Sequence, residues 1–220
     1  MVTKTGKFLI DQHNFLVYIN NVSQKAHNIF AKIYYEMELL TTLLLAHFLA
    51  DFPLQTNSMA AWKSKSSAML LLHVVVHVIV LWSLLGLKVE LLPLVLTLGV
   101  AHWLVDWSKP RLPTMEAVRA FILDQCVHVL CLLVAARIGC TFYHFRSYAV
   151  ISTPLLHTSL LISFGLGVMV YYWLWTSTLN DETIQRHRYL RWGHEQLLMF
   201  EQWTGYGLVC MIFFGAFFKQ

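Results

Sequence analysis

From residue 38 onward the chain alternates long apolar runs with short polar links. A helix needs about 17–25 predominantly apolar residues to cross a bilayer. Six segments approach or meet that length: residues 38–55, 67–86, 89–107, 117–138, 154–179 and 196–218. The links at 56–66, 87–88 and 108–116 are short, which makes successive spans antiparallel neighbours. The expected fold is all-α, a polytopic membrane bundle of about six transmembrane helices. Its core is an up-and-down four-helix unit over residues 38–138, and residues 139–220 add two further spans with a polar loop near 180–195. Residues 1–37 mix polar positions with Phe15, Leu16, Ile29 and Phe30 but hold no spanning run. They read as one or two helices lying on the membrane interface. After Lys4 and Lys7 only Phe8, Leu9 and Ile10 are consecutively apolar, too few for the core of a signal peptide.

Composition agrees. Hydrophobic residues make up 57% of the 220 positions and charged residues 13%, against roughly 45–50% and 25% in soluble domains. So few charges do not cover the surface of a water-soluble chain. The net charge of +4 is spread over loops and ends, without the basic stripe that nucleic-acid binding requires. Cys126, Cys131, Cys140 and Cys210 form no C-x-x-C pair and read as packing residues.

The chemistry lies in the ionisable residues within the first four spans. They are His47 and Asp51, His73 and His77, His102 and Asp106, and Asp124 and His128. Each pair is spaced i, i+4, which stacks both side chains on one helix face. In an up-and-down bundle the pairs must alternate between the end of one span and the start of the next, as they do. At 1.5 Å per residue all eight fall within roughly 3–18 Å of one polar edge. Inside a membrane an ionisable group is costly unless paired or functional. Asp–His hydrogen bonds gluing the helices together would satisfy that condition. Five imidazoles and three carboxylates suit divalent cations better. They exceed the ligands one zinc takes, which points to two ions.

The order of motifs resembles an uncharacterised family of bacterial and phage integral-membrane proteins. The residues that carry the resemblance are Ala46-His-Phe-Leu-Ala-Asp-Phe-Pro-Leu-Gln-Thr56, Lys63 or Lys65, and His73-x-x-x-His77. Ala101-His-Trp-Leu-Val-Asp-Trp-Ser-Lys109 and Asp124-Gln-x-x-His128 complete the set. A looser similarity runs to membrane-bound metal-dependent hydrolases. The resemblance implies a bacterial inner-membrane location and supplies no activity.

The expected function is a membrane-embedded metal-dependent hydrolase acting on a lipid or lipid-linked substrate through metal-activated water. The ions would be two zinc or manganese ions, with iron as the alternative. All eight residues are candidate ligands, and Asp51, Asp106 and Asp124 are the candidate catalytic carboxylates. Lys63, Lys65, Lys109 and Arg111 lie on the loops above this layer, where they could grip an anionic headgroup. Gln55, Gln125 and Glu201 are auxiliary candidates, whereas His157 enters from the opposite side. A di-iron oxygenase or desaturase is the alternative within enzymes, although the H-x-x-H-H clusters of membrane desaturases are absent. A metal transporter or assembly factor is the alternative outside them. A transporter needs polar groups through the other leaflet, and there the spans are almost wholly apolar. The distribution of Lys and Arg leans toward a cytoplasmic site.

Overall fold

A computed structural model describes residues 12–109, 116–142 and 150–217. Among these residues the structure is helical, without strands: α1 (Gln12–Asp51), α2 (Asn57–Trp62), α3 (Ser67–Leu84), α4 (Leu92–Ser108), α5 (Ala117–Phe142), α6 (Thr153–Thr176), α7 (Asp181–Arg186) and α8 (Arg188–Phe217). A 3-10 turn at Val89–Leu91 leads into α4.

Local sequence explains the boundaries. No Gly or Pro occurs between residues 12 and 51, so α1 runs unbroken for 40 residues. It stops at Asp51 because Pro53 disfavours helical backbone in the residue before it. Thr56 caps α2 by accepting the Met59 N–H, and Ser66 caps α3 by accepting that of Met69. Helix α3 ends in a Schellman turn. The Gly86 N–H bonds Ser83 O, the Leu87 N–H bonds Trp82 O, and Gly86 takes the left-handed φ of 72°. Pro93 and Pro154 sit in the first turns of α4 and α6, where a missing N–H does no harm.

Helix α1 is the central pole. Its C-terminal half packs against α3, α5 and α6, while α3 packs on α4, α4 on α5, and α6 on α8. The core joins Leu39, Leu43 and Leu49 of α1 to Leu81 of α3, Val95 of α4, Leu132 of α5 and Ile212 of α8. Large apolar side chains instead cover the outside, among them Leu71 and Ile79, Leu96 and Val100, Leu133 and Ile138, and Leu161 and Phe164. The buried set includes eight His and Asp residues. A buried cluster of ionisable groups within an outer surface of large apolar side chains is the arrangement of a membrane protein.

Four stretches are long and apolar enough to cross a membrane: Ser67–Leu84, Val89–Ser108, Ala117–Phe142 and Thr153–Thr176. Two of the six expected spans differ from expectation. In α8 the last span is bent by 46° between Arg188–Leu197 and Met199–Gly215, and it crosses only if both limbs form one span. In α1 the apolar stretch between Glu38 and Asp51 covers about 18 Å, short of the roughly 30 Å hydrocarbon core. That stretch is buried among its neighbours. Residues 12–37, expected as separate interfacial helices, continue into it without a break.

Candidate metal centre

Helices α1, α3, α4 and α5 each turn their His/Asp face inward at one level. His73 Nε2 lies 3.2 Å from Asp51 Oδ1, and His77 Nε2 donates to the same oxygen at 2.9 Å. His102 Nε2 is 3.1 Å from His73 Nε2 and 3.5 Å from Asp106 Oδ2. On the other side of Asp51, His47 Nε2 is 3.5 Å from Oδ2, which also accepts the Gln125 amide at 3.2 Å. The His47 and His128 rings stack at 5.0 Å.

Three sets of ligand atoms each converge within 4.8 Å: Asp51, His73, His77 and His102; His47, Asp51 and His128; His102, Asp106 and His128. Zinc–nitrogen bonds of 2.0–2.1 Å in a tetrahedron put ligand atoms about 3.3 Å apart. The separations in the first set bracket that value, so its residues could hold an ion with little movement. Unsatisfied atoms point the same way. His47 Nε2, His128 Nε2 and Asp106 Oδ1 are buried without a hydrogen-bond partner. His128 is the clearest case. Its Nδ1 lies 2.9 Å from the Asp124 carbonyl, which can only accept, so Nδ1 carries a proton and, in the neutral ring, Nε2 holds the lone pair. A carbonyl fixing one ring nitrogen while the other is free to ligate is the usual orientation of a metal-binding imidazole.

Seven of the eight sequence-derived ligands therefore come together. Asp124 does not join them among the described residues. Its Oδ2 accepts from Lys109 Nζ at 2.8 Å, and it orients His128 through its carbonyl, with its Oδ1 3.8 Å from the same Nδ1. Lys63 moves the other way, from loop to centre, and its Nζ lies 3.1 Å from Asp106 Oδ2 and 3.3 Å from His73 Nε2. Burial disfavours the charge on Lys63, but Asp51 and Asp106 outweigh it and raise its pKa. Lys65 is turned toward the Trp62 ring, 5.7 Å from its centroid, and Lys109 is held by Asp124. Arg111 lies outside the described residues. The half-buried Gln55 and the buried Glu201 stand apart from the ligand sets, each with one buried oxygen lacking a partner. His157 is exposed. Sequence spacing missed the entry of Lys63 into the cluster, because helical periodicity does not determine where a loop lysine reaches.

A cavity of about 30 Å³ borders His47, His77, His102 and His128, enough for a water molecule. Below it Leu43, Leu81, Val95 and Leu98 form an apolar floor. Thr41 and Thr42 are also buried there, but their hydroxyls bond backbone carbonyls one turn back.

Residues 39–157 match the model of a family described as proteins of unknown function, DUF3307. The chain belongs to the DUF3307 family. The matched region contains every residue of the three ligand sets, so the cluster belongs to the family portion of the chain, as do the Lys63 and Gln125 contacts. No curated protein and no solved structure matches the chain.

Proposed function

We propose that this DUF3307 protein is a metal-dependent hydrolase of a lipid or lipid-linked substrate in the bacterial inner membrane, with its site on the cytoplasmic side. One observation carries the proposal: His47 Nε2 and His128 Nε2 are buried without a hydrogen bond beside Asp51 Oδ2, while Asp51 Oδ1 faces three more imidazoles. Asp51, His73, His77 and His102 would hold one divalent ion and Asp51, His47 and His128 a second, zinc or manganese. Bound ions would lower the pKa of a coordinated water toward 7.

The chain's own residues supply the rest. Gln125 fixes the Asp51 carboxylate, and the Asp124 carbonyl fixes His128. Asp106 has an unpaired oxygen with which to orient the attacking water and accept its proton. The bond cleaved is an ester, amide or phosphoester at headgroup depth. Lys63, whose Nζ contacts Asp106 and His73, would meet an anionic group on the substrate. The apolar floor supports hydrolysis over transport, since an ion carried across needs polar groups beyond it.

The test is incubation of the purified protein with an extract of bacterial lipids, reading new hydrolysis products by mass spectrometry. The proposal expects products that disappear with a chelator or in Asp51→Asn and return on adding zinc or manganese. Failure to form any product in the metal-loaded protein would refute it. Activity requiring iron and oxygen would place the chain among membrane oxygenases.

A further inference from the structure

Helices α5 and α6 follow one another in the chain, yet α6 packs chiefly on α1 and α8. The gap left between them is a groove of about 670 Å³, within the 300–1,000 Å³ range of small-molecule sites. Phe48 of α1 and Phe52 of the turn after it form its floor, with Leu133 of α5 and Val168 of α6 on its sides. Both helices cross the membrane, so the groove faces hydrocarbon. It extends for about 18 Å along α5, from Phe121 to Leu133, and includes the level of His128.

Its deep end is not apolar. Gln125 lines the groove and donates its amide to Asp51 Oδ2. The Gln125 Oε1 is buried without a well-formed hydrogen bond, close to His47. One side chain thus joins a hydrocarbon-lined groove to the carboxylate at the centre of the cluster. A buried acceptor without a well-formed hydrogen bond is costly, and a hydroxyl or amide N–H near the head of a lipid would satisfy it. A second groove of about 700 Å³, between α4 and α5 around Pro93, Val134 and Ile138, has no such connection.

We propose that the α5–α6 groove holds the hydrocarbon chain of the lipid substrate, which enters sideways from the bilayer and presents its polar end at Gln125 and Asp51. The assignment of this lipid as substrate rests on the hydrolase reading. Occupancy of the groove can be measured without activity.

The experiment reconstitutes the full chain in phosphatidylethanolamine–phosphatidylglycerol vesicles with a tracer phosphatidylglycerol bearing a diazirine in its acyl chain. Irradiation is followed by peptide mapping. Labelling should concentrate on residues 121–133 and 164–171, above the equally lipid-facing Leu71, Ile79 and Leu161. Leu133→Trp and Val168→Trp place an indole in the groove from exposed positions and should lower that labelling by roughly fivefold or more, with metal content unchanged. Even labelling of all exposed faces, preference for the α4–α5 groove, or indifference to both tryptophans would overturn the proposal. A covalent dimer through the groove residue Cys126 under mild oxidation would instead make the groove a face between copies. Metal is measured in the same samples with His73→Ala/His77→Ala beside them, so loss of the metal reading shows separately from loss of the groove.

Discussion

Asp51 is the residue on which the site converges, because His73, His77 and His102 face one of its oxygens and His47 and Gln125 the other. Asp124 has the same residue type and the same i, i+4 relation to a histidine, yet it joins none of the ligand sets and meets His128 Nδ1 through its carbonyl at 2.9 Å and a carboxylate oxygen at 3.8 Å. The two should therefore separate on mutation. Asp51→Asn is expected to abolish metal retention. Asp124→Asn should change affinity by no more than the roughly 10–100-fold of an outer-shell partner, as read by metal titration. The i, i+4 pairs were legible because helical periodicity fixes a face. The divergence of Asp124 was not, because its partner Lys109 comes from the end of another helix. Lys63 leads to a second prediction. Its ammonium sits on Asp106 and His73, two of the candidate ligands, and competes with any cation. Lys63→Met should tighten zinc binding, by about tenfold if one charge contact of about 1.4 kcal/mol is removed. Unchanged or weaker binding would show that the ammonium does not compete.

Among the elements, α1 departs furthest from what its sequence pattern suggested. Its first half has a weak amphipathic pattern, but the absence of Gly and Pro carries the helix on to Pro53. The turn after Asp51 then becomes a docking point. A Cβ at Gly205 of α8 would lie 2.0 Å from Pro53 Cβ, and one at Gly167 of α6 would lie 2.7 Å from the Phe52 ring. Gly205→Ala should destabilise the packing of α8 by about 1–3 kcal/mol, seen as a lower melting temperature in detergent with metal binding retained. An unchanged melting temperature would show that α8 does not depend on this contact. The bend in α8 was not legible, since neither Gly nor Pro marks residues 194–202, where it falls.

At the scale of the whole molecule, the fold is a membrane bundle whose His/Asp cluster lies at a single level, with an apolar floor on one side and a groove open to lipid on another. The all-helical bundle and the level of the site followed from run lengths and pair spacing, which are local properties. The groove did not, because it depends on which helices fail to pack together. Every functional step proposed for this protein depends on this cluster binding metal. Elemental analysis of the protein purified from metal-supplemented cells tests it most directly. Two zinc or manganese ions per chain are expected in the native protein and a large loss in His73→Ala/His77→Ala. Native and substituted proteins equally free of metal would contradict the claim.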